Sequence, residues 1–347
     1  LDIRQSRVQG AVTLALLINA VLVSTAFASE QSESKGFVED ANGSVLFRTG
    51  YLNRDKKDGL TNDTSSAAQT AIVNLDSGFT KGVIGFGAGI IGDASFKLGK
   101  NGHTGNQMIP THSDNADGTK DAYDHWARGG AYVKARVSNT TAKYGTQVSE
   151  IPVIASNTAR LTPEYYTGLY IESNEIKDLT LIGGKFTKNQ WSNDISSDQQ
   201  NLDSAIFWGA KYKFNDQVNA SYYGVDVKDK LDRHYGNVNY SFPTANGATV
   251  TLEAMGYNTK WKVGAATTDP RSATEELTNS IWGVSASYNR DAHNLMLAYQ
   301  DNAGNIGYDY AYNQDGLQSI YVPNSYLSDF KGNDEKSVGL QYNYNFK

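Results

Sequence analysis

Read with a period of two, the chain sets a row of cations on one face of successive segments: Arg48, Arg128, Lys134, Arg136, Lys143, Lys185, Lys211 and Lys213. The clearest segment is Trp126 to Ser138, whose even positions after the tryptophan carry Arg128, Tyr132, Lys134, Arg136 and Ser138 while the odd ones carry only Ala, Gly and Val. A β-strand sends successive side chains to opposite faces, so this is a ribbon with one basic face and one small apolar face. Cations on a wet wall backed by a low-dielectric medium focus their field, concentrate anions and pass them from one weak site to the next. Glu172, Asp226 and Glu253 are the candidates for an opposing acidic wall, and segregated rows of opposite charge would orient a dipolar solute.

Other chemistry finds little support. Cysteine is absent, which excludes disulfides, thiolate metal sites and a thiol nucleophile. His103, His112, His125, His234 and His293 never take metal-ligand spacing within one element. Asp114 to Gly118 resembles a fragment of a calcium loop but lacks its remaining carboxylates. Gly87 to Gly92 matches G-x-G-x-x-G, yet Gly85, Gly87 and Gly89 continue a period-two pattern and no helix pattern follows, so a nucleotide site is not expected. No G-x-S-x-G elbow occurs. No enzymatic activity, metal or cofactor is therefore expected. The net charge of −6 is spread without a long basic run, which argues against a nucleic-acid partner.

The elements that would hold such a row are β-strands in an exported protein. Arg4 and Arg7 precede a 13-residue, mostly apolar run from Ala11 to Val23 and the small-residue site Ala26-Phe27-Ala28, which predicts a signal peptide over residues 1–28. A polar leader over 29–43 follows, and then 44–347 as one β domain. No other stretch is apolar for long enough to be a membrane helix. Strands are expected at Ser44–Asn53, Ala68–Thr80, Gly82–Leu98, Trp126–Ser138, Thr141–Ser149, Glu164–Ser173, Leu179–Lys188, Ala205–Phe214, Gln217–Val227, Arg233–Phe242, Thr249–Tyr257, Ser280–Asn289, Asn294–Gln300 and Ser337–Phe346. Short links alternate with long polar ones, and an abrupt turn joins the second strand to the third. The 22 tyrosines and the aromatic strand ends fit interfacial girdles, and a mean hydropathy of −0.50 fits a barrel with a wet lumen. The pattern predicts an all-β, antiparallel, up-and-down transmembrane β-barrel, ahead of a secreted or surface β protein that binds partners through its loops.

Several runs resemble the OprD-type substrate-specific porins of Gram-negative outer membranes: Gly36–Asp40, Tyr51–Asp55, Val133–Ser138, Ser173–Leu181, Ile320–Ser325 and, above all, the proline-bounded stretch Ile151 to Pro163. The resemblance extends over 36–346. It implies an 18-stranded barrel, Ile151 to Pro163 as a loop folded inward to constrict the lumen with Ser156, Asn157 and Arg160 at its narrowest part, and a second inward loop in 301–336. It also implies passive uptake of small carboxylate-bearing solutes along the basic ladder, a general diffusion porin being the alternative. Outer-membrane lipid and the outer-membrane assembly machinery would be its partners, and the chain would be a monomer or loose homo-oligomer. About fourteen strands and a final Lys347 depart from the family pattern, so a C-terminally incomplete barrel is expected.

Overall fold

The computed structural model describes residues 29–55, 63–99, 108–114, 120–265, 267, 269–312 and 330–346. The predicted signal peptide, 1–28, lies outside them, as does 313–329 of the second long loop.

Fourteen antiparallel strands form one sheet in which every strand pairs with its neighbour in sequence. They are β1 (Asn42–Arg54), β2 (Thr64–Asp76), β3 (Ile84–Lys97), β6 (His125–Val137), β7 (Thr140–Gln147), β8 (Tyr165–Ile176), β9 (Leu179–Gln190), β10 (Ala205–Lys213), β11 (Val218–Val227), β12 (Leu231–Pro243), β13 (Thr249–Trp261), β14 (Leu277–Arg290), β15 (His293–Gly304) and β16 (Lys336–Tyr344). A separate hairpin, β4 (Thr111–Asp114) and β5 (Lys120–Ala122), stands in the connection expected to be a plain loop. Each expected strand is present. Among the described residues β1 and β16, the two ends of the sheet order, are not paired with each other.

The period-two alternation becomes an outer and an inner face. Outward positions are large, apolar and exposed, as at Phe47, Val133, Tyr144, Leu297, Val338 and Leu340. A continuous exposed apolar surface of this kind has lipid as its natural solvent. Inward positions carry the polar and aromatic residues. The row Gly85, Gly87 and Gly89 is their negative image: a Cβ at these positions would come within 2.3 Å of Gln31, 2.6 Å of Lys134 and 2.3 Å of Tyr132. The G-x-G-x-x-G run is thus strand β3 making room for neighbouring inward side chains.

One end of the sheet has brief links at 138–139, 177–178, 214–217, 244–248 and 291–292, and the other carries the long ones. Short turns mark the periplasmic end of such barrels. The link between β2 and β3 departs from the expected abrupt turn. It runs over 77–83, because Phe79 folds inward and is buried there. Its ring then carries Lys134 Nζ at 4.5 Å and the Arg136 guanidinium at 4.2 Å.

The polar leader is docked on this same end. Gln31 donates to the carbonyls of Thr80 (3.0 Å) and Gly82 (3.1 Å), Ser34 Oγ donates to Phe79 O (2.7 Å), and Gly78 N donates to Phe37 O (2.8 Å). A membrane barrel keeps its hydrogen-bonded wall intact in detergent until heated. The unboiled protein should therefore migrate faster on a denaturing gel than the boiled one, and equal mobility would contradict the membrane assignment.

Candidate functional site: a constricted lumen

Residues 148–164, between β7 and β8, turn into the sheet rather than away from it. Ile151, Val153 and Ile154 are buried in one cluster with Phe186 of β9, Phe207 of β10 and Tyr257 of β13. Pro152 O accepts from the Tyr257 hydroxyl at 3.1 Å, so the loop reaches a strand remote from its own. At its other side Leu161 packs with Met108, Ile109 and Trp126. Apolar residues that would be wasted in an outside loop therefore hold this one inside.

A buried loop needs donors for its carbonyls, and arginines supply them. Arg128 is fully buried, pairs with Asp93 at 2.9 Å, and donates to Pro163 O (2.7 Å) and Trp191 O. Its guanidinium also lies 5.2 Å from the centroid of the Tyr165 ring. Arg48 donates to Thr158 O (3.0 Å) and to Arg160 O. Within the loop, Ser156 Oγ accepts from Ser149 N at 2.9 Å, and Ser156 N donates back to Ser149 O at 2.8 Å. Asn157 N donates to Glu164 Oε2 at 2.8 Å. Ser156 and Asn157 are buried and brace the loop, while Arg160 contributes its carbonyl to Arg48.

The second inward segment follows the same logic. Arg233, one of the most deeply buried side chains, donates to Thr259 Oγ1 (2.9 Å), Tyr310 O (2.8 Å) and Asp309 O. It thereby holds 305–312 in place, with the Tyr308 ring of that segment 5.5 Å from the Tyr257 ring of β13. Tyr166, at the start of β8 just after the first loop, donates to Tyr312 O and ties the foot of that loop to the second inward segment.

Below the first loop, toward the short-turn end, lies a cavity of about 630 Å³. Lys143 of β7, Glu172 of β8, Lys211 of β10 and Glu253 of β13 face it, with Glu150 of the loop above them. The carboxylates are interleaved with the cations around the wall rather than set in the segregated rows anticipated from sequence.

The remaining predicted residues stand elsewhere. Lys134 is paired with Asp76 at 2.7 Å, and Arg136 is held by Gln31 Oε1 (3.1 Å) and by Glu30 at 3.7 Å. Lys213 sits at the short-turn rim, bonded to Asp216 at 2.6 Å. Lys185 is exposed with the outward-facing Leu181 on β9, and so leaves the expected wet face. Inward positions there are even, beginning with Thr180 and Ile182. Asp226 is also exposed, out of phase with the buried Val225 and Val227, and pairs with Lys262 at 2.6 Å instead of opposing the cations.

Sequence reasoning missed Arg233, Asp93, Glu150 and Glu164. Arg233 shared the inward phase of Tyr235 and Asn237, a signal that pattern alone could have revealed. Asp93 is the one carboxylate on β3, among its glycines, alanines and large apolar residues.

A sheet of this pattern, apolar outside and crossed within by an arginine-held loop, defines a transmembrane β-barrel channel. The chain belongs to the OprD family of outer membrane porins, matching that family over residues 35–347. It is 32% identical over 338 residues to Porin D of Pseudomonas aeruginosa, covering 93% of this chain and 73% of that protein. The crystal structure of OccAB1 from Acinetobacter baumannii superposes with a TM-score of 0.84 at 58% identity, over 92% of this chain and 79% of that one. The structure of Pseudomonas aeruginosa OpdK with vanillate aligns with a TM-score of 0.74 at 25% identity, over 90% of this chain and 79% of the other. Members of this family are outer-membrane channels rather than enzymes.

Two predictions follow from how the loop is held. Arg128→Ala leaves Asp93 buried without its partner and should cost about 3–5 kcal/mol, read as a lower denaturant midpoint. Glu164 is fully buried against Asn157 and Asn189, and that burial pushes its carboxyl from 4.5 up to about 8. Because the folded state keeps a proton that the unfolded chain releases, this residue's contribution is complete below pH 4.5 and is lost as pH rises to about 8. The denaturant midpoint should fall across that window, and Glu164→Gln should remove this part of the fall.

Proposed function

We propose that the protein admits small carboxylate-bearing solutes passively through its lumen, selecting them by the width left beside the inward loop and by the charges beneath it. The observation that carries this reading is the cavity under the loop, where Lys143 and Lys211 face the lumen without an acidic partner among the described residues. An ammonium held this way binds a carboxylate weakly enough to release it, as passage requires. Vanillate, present in the OpdK structure, is a carboxylate of this size class. Lys134, Arg136 and Arg48 would act nearer the walls as a background field, since their donors are already engaged.

A channel that merely sieved by size would treat charged and neutral solutes of equal size alike. In liposome swelling with the reconstituted protein, small carboxylates should enter faster than uncharged solutes of equal size. Lys143→Gln with Lys211→Gln should reduce that advantage while leaving the neutral rate in place. Equal rates for carboxylates and neutral solutes in the unaltered protein would refute selective uptake and leave general diffusion.

A further inference from the structure

The outer wall carries charge as well as the lumen, and on one strand that charge is unpaired. Lys185 of β9 lies opposite Leu169 of β8 and Ile206 of β10, both of which are exposed and face outward. Lys188, three residues on, would fall on the inner face of a regular strand. The register shift between Thr167 and Gly168 leaves Thr187 with no partner position on β8, so Lys188 pairs with Thr167, two residues from Leu169, and returns to the outer face. Both lysines are exposed, and neither forms an ion pair among the described residues.

The acids of the adjoining loop are already engaged. Asp203 holds Lys228 at 2.5 Å and reaches Lys185 only as a lesser charge. Asp198 accepts from the backbone N–H groups of Asn189 and Leu202, both at 3.1 Å. At the corresponding end of β13 the cations are matched: Lys260 pairs with Glu276 at 2.8 Å, and Lys262 with Asp226 at 2.6 Å and Asp232 at 3.2 Å. Lys185 and Lys188 are therefore a local excess of positive charge.

Their depth gives the excess a meaning. Trp208 is exposed on the outer face of β10, opposite Gly183 and two residues below the level of Lys185. Tryptophan on the outside of a barrel marks the boundary between hydrocarbon and headgroups. The links at this end of the sheet are the long, extracellular ones, so Lys185 stands about 7 Å beyond that boundary, among the headgroups of the outer leaflet. A lysine is tolerated at that level and costly deeper in the wall.

Gly183 leaves room for the rest of a lipid. A Cβ there would find nothing nearer than Phe207 O at 3.8 Å, so the outer wall is open between Ile171 on β8 and Trp208 on β10. An acyl chain laid in this notch brings its headgroup up to Lys185.

We propose that Lys185 and Lys188 bind a phosphate of the phosphorylated glycolipid that forms the outer leaflet of the membrane. The phosphate oxygens accept charge-assisted hydrogen bonds from both ammonium groups at once. The site lies on the outside of the barrel and is independent of what the lumen conducts.

Native mass spectrometry of the full chain, released from detergent micelles containing lipid A, tests this. Bisphosphorylated lipid A should remain bound, and lipid A stripped of both phosphates should bind about tenfold less tightly. Lys185→Gln with Lys188→Gln should bring the bisphosphorylated form down to that level. Lys35→Gln with Lys177→Gln removes the same charge from exposed positions at the short-turn end and should leave retention unchanged. Each variant is scored only if it keeps its heat-dependent mobility, and where the first does not, the phosphate dependence of the unaltered protein decides. Equal retention of the two lipids by the unaltered protein overturns the proposal. So does undiminished retention in the first variant, or an equal loss in both.

Discussion

The structure depends on one requirement: backbone that enters the lumen must find hydrogen-bond donors where the wall has none left. The strand N–H groups are largely engaged in the ladder, so the carbonyls of an inward loop that its own N–H groups do not reach must be met by side chains. Arginine suits this task because its guanidinium offers five donors in a fixed plane and remains charged when buried. Arg128 serves the neck of the first inward loop, Arg48 its middle, and Arg233 the second inward segment. Asp93 makes the burial of Arg128 tolerable by neutralising it. The constriction, and the cavity that it roofs, both follow from these contacts.

Charge in the lumen consequently has two uses. Where a cation meets a carboxylate directly it holds the wall or a loop, as at Arg128 with Asp93 and Lys134 with Asp76. Where amides, hydroxyls and ring faces hold a charged group, as at Glu172, Glu253 and Lys143, the charge is left facing the cavity without an ion pair among the described residues. The docked leader belongs to the first use, since Glu30 and Gln31 engage Arg136 at the short-turn mouth. Residue type alone therefore does not separate a conducting cation from a structural one.

Much of the fold was legible in the sequence. Alternation in Trp126 to Ser138 is a local property, because successive side chains of a strand have no choice but to face opposite ways. The same rule located all fourteen strands of the sheet and marked Ile151 to Pro163 as irregular. It failed at Lys185 and Asp226, where membership of a strand was correct but its phase was not. On β9 the pairing with β8 is regular from Leu181 to Phe186, and Lys185 there shares the outward face of the exposed Leu181.

The sequence by itself determined the class of protein: exported in pattern, antiparallel, apolar outward and wet inward, with a family likeness that the matched residues bear out. Only the tertiary structure decided which cations are available. Asp76 lies far from Lys134 in sequence, and Gln31 far from Arg136, yet both partners sit within hydrogen-bonding distance once the sheet brings their strands and the leader to one end. Pairing in a curved sheet depends on which remote segments become neighbours across the lumen. A period-two pattern tells which way a side chain points, but not what will be waiting there.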